Sequence, residues 1–227
     1  MVVAPASLRF VATLGVVLTA IVLLSWREAR YPADWYLENA LVLAAVVYVA
    51  STAWALPLSR TSYVLILVFL CFHEIGAHWT FAEVPYDEAA RRWLGFSLNE
   101  TMGWTRNHYD RFVHFLYGFL LLRPMRETLG AIFPVTGGRS AVLAWVFLFA
   151  SSSVYEHLEW GAALIFGGDL GQAYLGTQGD VWDAHKDTLL AAIGALAALA
   201  VPGLAGRTPV APRGSGPTPG DRSKAAA

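Results

Sequence analysis

The sequence predicts an all-α, six-helix transmembrane bundle, and three observations predict it. Six apolar segments are long enough, or nearly so, to cross a bilayer, for which a helix needs about 20 residues. Only 15% of the 227 residues are charged and 56% are hydrophobic, with a mean hydropathy of +0.47; a soluble domain carries about 25% charged residues. The ionisable residues that the segments do carry gather toward one end of them.

The segments run from about Leu8 to Trp26, Trp35 to Leu56, Ser62 to Phe81, Tyr109 to Leu122, Ala141 to Phe166 and Asp183 to Val201. The first has the length of a signal peptide, but no clean small-residue cleavage site follows it, so it reads as a span. The second is ended by Pro57, and the fourth is short because Pro124 follows it. Between the third and fourth, Glu83 to Asn107 is amphipathic and carries Trp93, Phe96 and Trp104, a composition suited to the membrane interface. Residues 1–202 thus form the membrane domain. Residues 203–227 are Pro, Gly, Ser and Ala with scattered charge, which predicts a disordered cytoplasmic tail. The single thiol, Cys71, lies in an apolar run and reads as core packing. A net charge of -1 and the lack of a basic stripe exclude nucleic acid as a partner.

Lys and Arg in short loops set orientation. Arg123, Arg126 and Arg139 follow the fourth span, with Glu127 as the one acid among them, and no Lys or Arg occurs from Gly161 to Trp182. That bias puts the loop between spans four and five in the cytoplasm, with both termini, although Arg91, Arg92 and Arg106 fall on the other side.

On this topology four spans each bring a polar pair to the outer half. The pairs are Glu74/His78, Asp110/His114, Glu156/Glu159 and Asp183/Asp187. Spacings of three or four put both members on one helix face. A carboxylate at mid-membrane costs about 2.5–3.5 kcal/mol, against gains of about 0.3–0.6 for each large apolar residue. Glu156 and Glu159 together would therefore cancel about ten apolar residues unless they face protein, water or a cation. The Gly-rich, acidic stretch from Ala173 to Asp187 runs straight into the last span and supplies Tyr174, Gln178 and Asp180 as a cover.

Several chemistries use such a cluster. Carboxylate and imidazole suit Zn, Mn or Fe, and carboxylate with water suits Mg or Ca. Paired ligands from several helices are how bundles hold metals. Acid–base chemistry without metal and a proton path are alternatives. So is a closed ion-pair network in which Arg106, Arg111 and Lys186 neutralise the acids. Sharper motifs fail. His73-Glu74-Ile75-Gly76-Ala77-His78 places its histidines five apart, not the four of a zincin helix. No nucleophile elbow is present. The Gly-x-Gly-Asp of intramembrane aspartyl proteases lacks its first glycine before Gly179-Asp180.

Four blocks carry a resemblance: His73 to His78, Arg106 to Phe115, Ser152 to Glu156, and Tyr174-Leu175-Gly176-Thr177-Gln178-Gly179-Asp180-Val181-Trp182-Asp183. Together they resemble the YjdF family of bacterial inner-membrane proteins, over roughly residues 10–200. The resemblance implies a multi-pass plasma-membrane protein and carries no activity with it. Asp110/His114, Glu156 and Asp183/Asp187 are also similar, at motif level, to VanZ-like membrane proteins, which implies envelope chemistry.

The functional expectation is a metal-dependent membrane enzyme, hydrolytic, acting on an envelope lipid or lipid-linked group. One divalent ion (Zn, Mn, Fe or Mg) is expected among Glu74, His78, Asp110, His114, Glu156, Asp183 and Asp187. Glu159 and Asp180 are candidate bases. Arg106 and Arg111 would grip an anionic head group, since guanidinium binds phosphate bidentately, with Tyr174 and Gln178 beside them. A proton-coupled transporter and a membrane scaffold are the rival classes. The topology is testable: a fluorescent protein fused after residue 206 should be fluorescent and alkaline phosphatase there inactive, while phosphatase inserted between Gly176 and Gly179 should be active. The reverse pattern would invert the bundle.

Overall fold

The computed structural model describes residues 4–206. Among them there is no β-strand, only an isolated bridge between Pro5 and Ser59. Helices α1 (Leu8–Trp26), α2 (Pro32–Ala55) and α3 (Arg60–Trp79) lead to two short helices, α4 (Tyr86–Leu94) and α5 (Leu98–Met102). Then come α6 (Tyr109–Ile132), α7 (Gly137–Phe166), α8 (Gly168–Leu175), α9 (Asp183–Leu199) and a final turn, α10 (Pro202–Ala205). The protein is an all-α membrane bundle. Among the described residues α1, α2, α3 and α7 are long and apolar enough to cross a bilayer by length and composition. Their outer faces expose Val16, Leu24, Val47, Trp54 and Ile165, as lipid contact requires.

Helices α6 and α9 complete the set of six long helices without meeting that standard. α9 has 17 residues, or about 26 Å of helix. α6 carries Asp110, Arg111, Arg123, Arg126 and Glu127. Neither needs a fully apolar surface, because α6 lies between α3, α7 and α9. The α6–α9 pair is the closest in the fold. A Cβ on Gly118 would stand 1.8 Å from the Ala191 carbonyl oxygen, and one on Gly194 2.0 Å from that of Phe115. Each glycine thus seats the backbone of the other helix. Ala191, Ala195 and Ala198 continue the small, buried stripe on α9, a pattern that lets membrane helices approach closely.

Three expected boundaries change. Pro124 does not end α6, which continues to Ile132. An interior proline costs about 3 kcal/mol, and the bonds made by the extension offset that. Glu127 accepts from Ser59 N–H and Ser59 Oγ at 2.8 Å each and from Arg123 Nε at 3.0 Å. Arg126 donates to the carbonyls of Ala205 and Gly137 and to Ser140 Oγ. Pro202–Ala205, expected in the tail, is a helical turn held under Arg123 and Arg126, with Ala205 buried; residues 207–227 of that tail lie outside the described residues. Finally, the stretch before α9 contains α8, which folds back on α7 with Gly171 against the Ala163 backbone and also touches α2.

The amphipathic stretch splits into α4 and α5 because Gly95 caps α4 in the left-handed region. Asp87 pins the split by accepting from Ser97 Oγ and the Asn99 N–H at 2.9 Å. Trp93 and Leu94 stay exposed. The glycine seats make a firm prediction. Gly118→Ala and Gly194→Ala should each lower stability by about 1–3 kcal/mol or more, read as a lower unfolding midpoint in detergent. Gly15→Ala, whose Cβ meets nothing within 4 Å, should leave it unchanged or raise it.

Candidate metal and lipid site

Asp110 and His114 lie one turn apart on α6, on the face that meets α7 and α9. His114 Nε2 is 3.5 Å from Asp110 Oδ1 and 3.3 Å from Glu156 Oε1 on α7. Its Nδ1 is 3.4 Å from Ser152 Oγ, one turn back along α7. Asp187 comes in from α9, and ligand atoms of Asp110, His114 and Asp187 all lie within 4.8 Å of one another. Three ligands bound to one cation at about 2.1 Å lie about 3.0–3.6 Å apart, so the side chains would draw together by up to about 1 Å to share one. Asp187 is 1% exposed, and its Oδ1, like Glu156 Oε1, is buried without a hydrogen bond. Glu159, three residues after Glu156, is buried beside it and lines the adjoining cavity.

The other acids at the mouth of α9 are paired. Asp183 accepts from Arg106 Nη1 at 2.6 Å and Nη2 at 3.3 Å, and from Arg111 Nη2 at 3.0 Å. Asp180 accepts from Arg111 Nη2 and Lys186 Nζ at 2.5 Å each. Arg106 also donates to the Thr177 carbonyl at 2.9 Å. Gln178 closes the latch, accepting from Asn107 N–H at 2.9 Å and donating to its carbonyl at 3.1 Å. Residues 176–183 are thus stitched across the start of α6. The ion-pair network foreseen for Arg106, Arg111 and Lys186 describes this latch. It does not extend to Asp110, Glu156 and Asp187, for which no Lys or Arg ion pair is formed among the described residues.

Glu74 and His78 stand apart from that cluster. Their shared face looks toward α1 and α2, where Glu74 lies beside Ser25, Trp35 and Asn39, and His78 Nδ1 is 2.8 Å from the Ser25 carbonyl. His73, one position earlier and turned by about 100°, faces the cavity instead. It meets Glu38 of α2, with Nε2 3.1 Å from the Glu38 carbonyl and 4.0 Å from Oε2. Tyr155 of α7 donates to Glu38 Oε2 at 3.0 Å, and Tyr174 of α8 packs near both. Glu38 and Asp34, which is 0% exposed and lies beside Thr80, are a fifth polar pair on one helix face. Starting span two at Trp35 hid it.

The family described as "Predicted membrane protein (DUF2238)" matches residues 10–206. The chain belongs to this family. It is also 34% identical over 185 residues to "Inner membrane protein YjdF" of Escherichia coli (strain K12), covering 81% of this chain and 84% of that protein. No solved structure matches. The DUF2238 chain is accordingly a multi-pass inner-membrane protein, and the family match spans every element that builds the site, from α1 to α10. The VanZ-like likeness stays at the level of the motif.

The latch has a pH signature. Hydrogen bonds from Lys186, then from the Trp182 N–H and Arg111, hold the Asp180 carboxyl well below the usual carboxylate range. A depressed carboxylate stabilises the fold above its unfolded pKa, about 3.9, and loses that contribution as pH falls toward the folded value. Hydrogen exchange of residues 176–183 should therefore stay slow at neutral pH and quicken, after correction for the intrinsic rate, only below about pH 4. Asp180→Asn should make it fast at neutral pH.

Proposed function

We propose that the chain is a metal-dependent membrane hydrolase acting on an envelope lipid or lipid-linked group. One divalent cation would be held by Asp110, His114 and Asp187, with Glu156 beside them. The observation that carries this reading is that convergence: two carboxylates and an imidazole from α6 and α9, in reach of one centre and largely buried. His114 can balance one of these carboxylates, Asp110 or Glu156, as an imidazolium, and a divalent cation between them would offset the others. Mixed oxygen and nitrogen donors suit Zn, Mn or Fe.

A bound cation lowers the pKa of its water toward neutrality and polarises a phosphoryl or acyl oxygen. The protein's own share of the chemistry would fall to named groups. Ser152 on Nδ1 fixes the ring of His114 so that Nε2 faces the centre. Glu156 and Glu159 are placed to take the proton of an attacking water and return it to the leaving oxygen. Asp180, Arg106, Arg111 and Gln178 act indirectly, by holding residues 176–183 over the site, and Tyr174 belongs with Glu38 and Tyr155. The proton-path alternative draws support from Asp34 and Glu74, buried acids outside the cluster. The closed polar network around Glu127 at the other end of the bundle counts against a route through it.

Elemental analysis of the purified protein should find a stoichiometric divalent ion that Asp110→Ala and Asp187→Ala abolish and Glu74→Ala retains. Ser152→Ala should weaken metal affinity by about 10–100-fold. A wild-type protein free of metal after purification and metal titration would remove the hydrolase reading.

A further inference from the structure

A cavity of about 220 Å³ adjoins the cluster, bounded by α2, α3, α6 and α7. It is far larger than the roughly 10–15 Å³ that one water needs. Its walls are chiefly apolar, with Leu41, Phe69, Val113 and Tyr117 among them, while His73, Asp110, His114 and Glu159 bring ionisable groups to it. Two wall residues on α7, Val154 and Leu158, are also 58% and 62% exposed on the outside of the bundle. The cavity therefore opens sideways. It does so where α7 faces α2, two helices that do not pack along one another. The hydrogen bond from Tyr155 to Glu38 and the short helix α8 bridge the gap.

In a bundle that crosses a bilayer this opening faces hydrocarbon. The outward surfaces of α2 and α7 around it, with Leu43, Val47, Val154 and Leu158 exposed, are continuous with the lipid-facing surface. The path from outer water is a different one, and the latch of Arg106, Arg111, Asp180 and Asp183 lies across it. An apolar slot that begins in the bilayer and ends at ionisable side chains matches an amphiphile. The hydrocarbon chain would occupy the slot, and the polar group would reach Asp110 and His114.

We propose that the cavity admits the acyl chain of a membrane phospholipid laterally, through the gap between α2 and α7. The proposal deepens the hydrolase reading, since it names how a lipid substrate reaches the cation, and it rests on that reading for the role of Asp110 and His114. It assigns new positions to residues remote from the metal: Leu41, Val154 and Leu158 form the mouth, and the Tyr155–Glu38 hydrogen bond spans it.

The test uses the full chain in vesicles of phosphatidylethanolamine and phosphatidylglycerol doped with a phospholipid bearing a diazirine along its acyl chain. Illumination and peptide mapping should find label on Val113 and Tyr117, which line the cavity, as well as on Leu23 and Leu24 of α1, which are exposed. Leu158→Trp, a change at an exposed position that the fold can accept, should cut the label on Val113 and Tyr117 several-fold. It should leave the label on α1 and the bound metal unchanged. No label on Val113 and Tyr117 in the wild type, or label that Leu158→Trp does not reduce, would overturn lateral access. The two readings fail separately. Cavity label without bound metal would sink the hydrolase and keep the slot, and bound metal without cavity label would do the opposite.

Discussion

The backbone contact between α6 and α9 is the constraint on which the site depends. Gly118 and Gly194 leave no room for a side chain, so the two helices meet at the distance of their main chains. That distance fixes how far Asp187 reaches. With α9 displaced outward by the thickness of a methyl group, its carboxylate would leave the neighbourhood of Asp110 and His114. Neither helix is apolar enough to be an ordinary lipid-facing span. Their stability comes from packing against each other and against α3 and α7, in keeping with the weight that close van der Waals contact carries in membranes.

Polar groups occupy both ends of this core, and the difference between the ends is informative. At one end Glu127, Arg123 and Ser59 satisfy one another through hydrogen bonds, and Arg126 donates to Ser140 and to the carbonyls of Gly137 and Ala205. This is a lock: it carries α6 past Pro124 and ties α10 beneath it. At the other end, below the paired latch, Asp187, Glu156, Asp34 and Glu74 carry buried oxygens that make no well-formed hydrogen bond, though His114 stands 3.3 Å from Glu156. A buried group left unsatisfied costs about 1–3 kcal/mol, more if charged. A fold that satisfies its acids at one end has the means to do so at the other, and this contrast is what supports the proposed site.

Much of this was legible in the sequence, for a physical reason. Carboxylates and histidines are costly inside a membrane, so their spacing along a helix betrays the face that must be shielded. Asp110/His114, Glu156/Glu159 and Asp187 were found that way. The same rule misled for Glu74 and His78, because periodicity tells which residues share a face but not which neighbour that face meets. The adjacent His73 is the one turned to the cavity. Asp34 and Glu38 obeyed the rule too, but at a helix start whose boundary was set three residues late. Pro124 shows the other limit. A local breaker ends a helix only when nothing beyond it holds the chain, and Glu127 with Ser59, 68 residues apart in sequence, is a contact that no local pattern announces.

The latch and the slot can be understood together. Residues 176–183, cross-linked by Asp183 and Asp180 to Arg106 and Arg111, lie across the water side of the cluster. These pairs are largely shielded, with side-chain exposures of 4–17%, so they are screened by salt less than surface pairs. A firm cover on the water side and a gap between α2 and α7 on the hydrocarbon side impose a direction. Polar solutes meet a closed loop, while amphiphiles meet an opening. The Tyr155–Glu38 hydrogen bond is the weak element at that opening, because the side chains it joins lie on helices that do not otherwise pack together. A chain arriving from the bilayer would part that bond and pass beside α8, which also bridges the two helices. It need not disturb the α6–α9 contact that holds the acids in place.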